Sequence, residues 1–219
     1  VKLRIPYRET IRRVASAQGR HKKQTGGAGQ YGDCWLRVEP NPGAGYEFVD
    51  EVVGGHVPRN FIPAIDKGVQ ETMREGVLAG YPLIDVRCAV YDGSYHPVDS
   101  NEMAFKIAAS LAFKKGIVEA KPCLLEPIMK LDITVPEKYT GDVMGDMNKR
   151  RGRILGMDPA DDGKTCLHAE APEAELFDYA IVLRAMTQAR GSFEMEFSKY
   201  EEVPANLAQK IVEAHKQEA

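Results

Sequence analysis

The chain has 219 residues, 43% of them hydrophobic and 28% charged, enough apolar material for one large or two modest globular domains. A formal net charge of −3 argues against a protein that coats nucleic acid indiscriminately, while leaving room for a local basic surface. Cys34, Cys88, Cys123 and Cys166 stand far apart with no Cys-x-x-Cys pair, which speaks against a zinc module or disulfide scaffold and for a reducing cytosol.

No apolar run approaches the ~18 residues needed to span a bilayer, and no targeting segment is visible. Val1-Lys2-Leu3-Arg4-Ile5 already reads as a strand, as if the chain were cut from something longer. Residues 1–14 alternate in a β-prone pattern that ends near Ile11. Gln18 to Gly32 is polar, basic and glycine-rich, and its lack of an apolar period predicts an exposed loop. Cys34–Val38 reads as a strand, Asn41-Pro42-Gly43-Ala44-Gly45 as a turn, and Tyr46–Val53 as the strand that closes this hairpin. Phe61, Ile62, Ile65, Val69, Met73 and Val77 recur at helical spacing. Leu83–Tyr91 is a strand, and Asn101–Lys115 a helix with Met103, Ala104, Ile107, Ala108, Leu111 and Ala112 on one face.

Between those two elements lies Gly93-Ser94-Tyr95-His96-Pro97-Val98-Asp99-Ser100. Gly93 suits a turn and Asp99 or Ser100 an N-cap, with Glu102 placed as the third residue of a capping box after Asp99. Capping does not require Tyr95 or His96, and Pro97 stiffens the residue before it. A stiff tip with an aromatic ring and an imidazole is suited to touching a partner.

From residue 124 onward a second unit begins. Ile128–Val135 is a strand, Tyr139–Arg151 a capped helix with Val143, Met144 and Met147 inward, and Arg153–Met157 a strand. Asp161-Asp162-Gly163 is a turn, Thr165–Ala171 a strand, Glu173–Ala189 a helix, and Ser192–Tyr200 a strand. This β-α-β-β-α-β order is the ferredoxin-like double split unit. Each helix runs into Arg-Gly, at Arg151-Gly152 and Arg190-Gly191. A last helix, Ala205–Lys216, has no strand of its own and is expected to return to the first unit or pack between the two.

Three motifs invite chemistry that their context denies. Gly27-Ala28-Gly29-Gln30-Tyr31-Gly32 fits the dinucleotide fingerprint, but a basic coil precedes it and a strand follows, whereas the phosphate needs a helix N-terminus. Gly163-Lys164-Thr165 resembles the end of a P-loop, yet its first glycine position is Asp158. His96, Asp99 and Ser100 crowd into one turn, whereas catalytic triads are assembled from distant segments. The five histidines (His21, His56, His96, His168, His215) show no metal-ligand spacing, and His168 reads as a core or sheet residue. No catalytic residue and no metal ligand is expected.

Several stretches read together carry more. They are Tyr7-Arg8-Glu9-Thr10-Ile11, the run from His21 to Gly32, Gly54-Gly55-His56-Val57-Pro58, the run from Gly93 to Ser100, Leu125-Glu126-Pro127-Ile128-Met129, and Arg150-Arg151-Gly152. In this order they resemble the last two domains of bacterial elongation factor G, a translational GTPase, over essentially the whole chain. The resemblance implies an α+β chain of two domains. Residues 1–122 would be a domain of the ribosomal protein S5 domain 2-like fold with a left-handed βαβ crossover, against the generic right-handed rule. Residues 124–200 would be a ferredoxin-like domain, and residues 203–219 a helix packing back on the first.

The same resemblance implies a cytoplasmic factor, with no membrane partner, that promotes translocation of tRNA and mRNA through the ribosome. GTP and Mg2+ would belong to an N-terminal GTPase domain outside this chain, which itself would hold no cofactor and no active site. A ribosome-recycling or ribosome-protection paralogue is the alternative within the superfamily. The first domain would enter the small-subunit decoding centre with a tip of Gly26, Gly27, Gln30, Ser94, Tyr95, His96 and Asp99 against tRNA and mRNA. Glycines admit backbone amides to phosphate and ribose, while imidazole and amide groups bond hydroxyls. Arg20, Lys22 and Lys23 are the cations near that tip. The second domain would meet ribosomal RNA at the large-subunit stalk base, with Lys149, Arg150, Arg151 and Arg153 available or else serving as cations at a helix C-terminus. Two positions depart from the family pattern: Asp178 and Ala189 stand where glycine is usual.

Overall fold

A computed structural model describes residues 4–24 and 26–219. Val1, Lys2 and Leu3, read above as the start of a strand, lie outside the described residues, and the first strand is β1, Arg8–Ile11. Two compact units divide the chain. The larger comprises Arg8–Leu124 together with Val203–Ala219, and the smaller Leu125–Glu202 with the described residues up to Tyr7. Both mix helices with sheets, as an α+β chain should.

The larger unit is built on β2 (Ala15–Lys23), β3 (Gln30–Pro40), β4 (Glu47–Asp50) and β5 (Val86–Ser94), in the order β2-β3-β5-β4. β2 and β3 form an antiparallel hairpin that runs from Ala15 opposite Val38 to Lys23 opposite Gln30. The basic stretch Arg20–Lys23 is therefore a strand rather than a loop. Backbone pairing orders it, so the sequence carries no apolar alternation to reveal it.

A second correction concerns Tyr46–Val53, which does not close a hairpin on β3. β5 pairs antiparallel with β3 and parallel with β4, and so lies between them. Asp85 anchors that turn: its backbone carbonyl accepts from the Asn41 amide at 2.8 Å and its carboxylate from the Gly45 amide at 3.1 Å. The connection β4–α1–β5, through α1 (Ile62–Glu75), is the parallel crossover to which the handedness expectation applies.

Helix α2 (Glu102–Glu119) packs against both β2 and β3, and against α1. Its small stripe Ala104, Ala108 and Ala112 is fully buried. The sheet answers with glycines. A Cβ at Gly19 would lie 2.0 Å from the Ala108 carbonyl oxygen, and one at Gly32 2.5 Å from that of Ala104. Backbone meets backbone here, which no larger residue permits. Leu36, Val38, Ile65, Val69, Val90, Phe105, Phe113 and Ile117 complete the core, with Phe61 stacked on Phe105 at 4.8 Å between centroids.

Glu9 on β1 is fully buried yet well partnered. Its carboxylate accepts the backbone N–H groups of Val77, Leu78, Ala79 and Tyr81 at 2.7–3.0 Å. Four donors converging on one carboxylate satisfy a charge that burial would otherwise penalise heavily. Gly80 leaves room for His215 of the C-terminal helix α5 (Ala205–Glu218), which belongs to this unit.

The smaller unit is a four-stranded antiparallel sheet of β6 (Pro122–Pro136, its first three residues counted with the larger unit), β7 (Arg153–Pro159), β8 (Lys164–Pro172) and β9 (Ser192–Glu202). Strand order is β7-β8-β6-β9, with α3 (Thr140–Lys149) and α4 (Tyr179–Met186) on the two crossovers, which is the ferredoxin-like arrangement. Leu131, Ile133 and Val135 of β6 and Leu167 and Ala169 of β8 alternate inward to meet Val143, Met147, Tyr179 and Leu183.

Two helices are shorter than the sequence suggests. No side chain caps α3. The span Glu173–Ala189 contains only α4, preceded by a single turn of 3-10 helix at Glu173–Glu175. Both helices stop the same way. The Gly152 amide returns to the Met147 carbonyl at 2.9 Å and the Ala189 amide to that of Arg184 at 2.8 Å, which is the Schellman closure. The left-handed residues that allow it are Arg151 (φ 57°) and Gln188 (φ 53°), not glycine. Among the described residues no helix is long and apolar enough to cross a membrane.

Candidate nucleic-acid interface

At one end of the larger unit the β2–β3 turn and the loop after β5 are joined into one surface. The Tyr31 amide donates to the Asp99 carbonyl at 2.9 Å, and the Ser100 hydroxyl donates to the Tyr31 carbonyl at 2.9 Å. Below them Asp33 gathers the pair: Ser94 Oγ donates to its carboxylate at 2.6 Å and Gln18 Nε2 at 2.7 Å, while the Tyr31 hydroxyl meets Ser94 Oγ at 2.7 Å. This buried carboxylate, 3% exposed, had no signal in the sequence beyond its place in a strand.

The loop itself is a self-contained turn. Ser100 N–H returns to the His96 carbonyl at 3.1 Å, and His96 N–H to Ser100 Oγ at 2.9 Å. His96 Nδ1 accepts the amides of Val98 and Asp99 at 3.3 and 3.2 Å. The neutral ring therefore carries its proton on Nε2, the nitrogen that these bonds leave available as a donor. Its imidazole is 53% exposed, and Tyr95 and Val98 beside it are also exposed.

The helix cap is not Asp99 or Ser100. Asn101 Oδ1 accepts the Ala104 amide at 2.7 Å, because Ser100 is spent holding the two loops together. The Asp99 carboxylate lies instead against Gly29, where a Cβ would come within 2.9 Å of it. Gln24, Gly26, Gly27, Gly29 and Asp99 line an open recess of about 320 Å3. The side-chain carbonyl of Gln30 bonds His21 Nε2 at 2.8 Å, so its amide hydrogens stay available as donors.

Of the expected tip residues, Gly26, Gly27, Tyr95, His96 and Asp99 thus face outward or line the recess, while Ser94 is tied inward. Gly32 serves the packing of α2, which accounts for one glycine of the false nucleotide fingerprint. Lys22 and Lys23 are exposed on β2 and have no ion pair among the described residues, whereas Arg20 stands 3.8 Å from the Asp33 carboxylate.

The basic end of α3 is largely committed within its own unit. Arg150, only 9% exposed, bonds Asp146 at 2.9 Å and Asp178 at 2.6 Å and lies over the Tyr179 ring at 5.1 Å. Arg150 holds the Asp178 carboxyl below the usual carboxylate range. Arg151 makes a two-pronged pair with the buried Glu126 at 2.7 and 3.0 Å and reaches Glu175 at 3.3 Å. Arg153 pairs with Glu170 and Glu201, both at 3.1 Å. Arg150 and Arg151, expected among the RNA contacts, thus have their guanidinium groups paired within the unit, and Lys149 is the exposed cation of that helix end.

The comparisons agree with this geometry. The family profile described as "Elongation factor G, domain IV" matches residues 3–121, and that described as "Elongation factor G C-terminus" matches residues 123–211. A solved crystal structure of a Thermus thermophilus protein is 49% identical with a TM-score of 0.91, covering 100% of this chain and 33% of that one. The chain thus spans one third of the length of that relative. It belongs to the elongation factor G family, of which it carries domain IV and the C-terminal region.

Proposed function

We propose that this chain is the ribosome-engaging part of a translational GTPase that promotes movement of tRNA and mRNA, with the joined loops around His96 as its RNA-contacting tip. The observation that carries the reading is the division of labour within one imidazole: Nδ1 shapes the turn, and Nε2–H is left to donate outward. A donor of this kind suits a ribose hydroxyl or a base edge, the groups by which RNA is distinguished. Asp99 beside it disfavours phosphate and accepts from hydroxyls. On this reading GTP, its Mg2+ and the hydrolysis of GTP are assigned to a domain outside this chain.

The test separates the two nitrogens in the factor that includes the GTPase domain. Asparagine at position 96 keeps an acceptor for the Val98 and Asp99 amides but lacks the outward donor. Glutamine keeps a donor of similar reach. His96→Asn should slow single-round translocation on ribosomes at least tenfold while GTP hydrolysis stays near normal, and His96→Gln should recover part of the loss. Translocation unchanged in His96→Asn would remove the tip assignment. A full-length factor that splits ribosomes into subunits without translocating would point to the recycling reading.

A further inference from the structure

The smaller unit carries a side-chain cluster that no part of the tip reading uses. On the sheet face opposite α3 and α4, Asp132 of β6 stands across from His168 of β8, and Cys166 lies two residues before His168. Their ligand atoms all fall within 4.8 Å of one another. The imidazole is gripped at both nitrogens: Nδ1 is 2.6 Å from Asp132 Oδ1 and Nε2 is 2.8 Å from Asp158 Oδ2. Its neighbour on β7 is Gly156, where a Cβ would meet nothing within 4 Å, so the space beside the ring is open. The His168 side chain is 33% exposed, Asp132 41% and Asp158 72%, which gives an ion a way in.

We infer that Cys166, His168 and Asp132 form a zinc-binding site, with Asp158 orienting the imidazole from behind. One sulfur, one nitrogen and one carboxylate oxygen are the donors of a borderline-soft ion such as Zn2+ rather than of Mg2+ or Ca2+. Bonds of about 2.0–2.3 Å in a tetrahedron place ligand atoms roughly 3.5 Å apart, so rotamer adjustments of about 1 Å close the set. Sequence spacing hid it because the ligands come from two strands joined by register, not by a Cys-x-x-Cys or His-x3-His run.

The existing contacts assign the roles. A carboxylate that holds the far N–H of a ligating histidine fixes its tautomer and ring orientation, and Asp158 at Nε2 is placed for that. The metal then takes Nδ1, entering between it and Asp132. On binding, the Cys166 thiol and the imidazole Nδ1 each release their proton to solvent. Three protein ligands leave the fourth position to water. Cys166 is also the one thiol of the four that is not buried, and burial pushes the Cys34 thiol up to about 12.

Cobalt(II) is the probe, since its thiolate complex absorbs in the near ultraviolet. Titrated into the metal-free 219-residue chain, it should give one equivalent of a sulfur-to-cobalt band that Zn2+ abolishes. Cys166→Ser should remove the band, and His168→Ala and Asp158→Asn should each weaken Zn2+ binding about 10–100-fold, the loss typical of ligand-orienting partners for the latter. Circular dichroism checks that each variant is folded. A second measurement needs no variant: Zn2+ should slow alkylation of Cys166 by iodoacetamide at least tenfold, read by mass spectrometry. No cobalt band, an alkylation rate indifferent to zinc, or zinc binding unchanged in folded Cys166→Ser would each overturn the site.

Discussion

At Ala189 the backbone sits at φ 64°, directly after Gln188 at φ 53°. Left-handed geometry costs a residue with a Cβ roughly 1–2 kcal/mol, a cost glycine escapes. Alanine at this position therefore stores strain where the chain leaves α4. Ala189→Gly should stabilise the protein by about 1 kcal/mol, seen as a higher urea midpoint with an unchanged slope; a lower midpoint would show that the strain is relieved elsewhere. The other departure has an opposite meaning. Asp178 makes a 2.6 Å bond to Arg150 and so gives a partner to a nearly buried guanidinium. Both positions were legible in the sequence as departures, but not their consequences, which depend on a dihedral angle and a contact across 28 residues. Glu9 makes the same point. It was visible within Tyr7–Ile11, yet its partners are backbone amides about 70 residues later, and backbone donors leave no trace in residue identity.

Along β3 the outer face carries a charged ladder that strengthens the sheet across its strands. Arg37 bonds Glu39 at 2.8 Å and Glu51 at 2.9 Å, and Arg87 of β5 returns to Glu39 at 3.0 Å. Arg37, then Arg87, holds the Glu39 carboxyl below the ordinary carboxylate range, and Arg37 does the same for Glu51. A carboxylate depressed in the folded state contributes stability that is complete above its unfolded pKa, near 4.3, and is lost as pH falls through the folded value. Thermal unfolding followed from pH 6 to pH 3 should therefore show a shallower acid decline in Glu39→Gln than in the parent chain, the two converging at the acid end. Parallel profiles would mean that the ladder is screened to nothing, as exposed pairs can be. The elements themselves were mostly legible where one face is buried, as in the second half of β6 and the middle of β8, where Leu131, Ile133, Val135 and Leu167, Ala169, Ala171 alternate with less buried residues. β2 was missed for the converse reason, since Gly19 is its one fully buried position and glycine carries no hydrophobic signal. The β4 partnership was missed because a parallel neighbour is chosen by the crossover helix, not by the nearer turn.

For the whole molecule, charge decides how much of the proposed RNA engagement this chain can sustain alone. Arg20, counted among the tip cations from the sequence, is shared with Asp33, and Arg150, Arg151 and Arg153 are neutralised within the smaller unit. That leaves Lys22 and Lys23 as the exposed, unpaired cations near the tip among the described residues, on a chain whose net charge is −3. Each phosphate neutralised on a single strand contributes a slope of about −0.7 in log affinity against log salt, so two give roughly −1.4. Binding of the chain to a single-stranded RNA, measured between 50 and 200 mM salt, should be weak and follow that shallow slope. Lys22→Ala with Lys23→Ala should bring the slope close to zero, whereas His96→Asn should lower affinity without changing it, because a hydrogen bond to a hydroxyl releases no counterion. A slope several times steeper would place the electrostatic contact on another surface of the chain. A slope unchanged in the double variant would do the same. With the expected values, the tip reads its target through neutral donors and shape, and the energy that docks it comes from contacts outside the two loops.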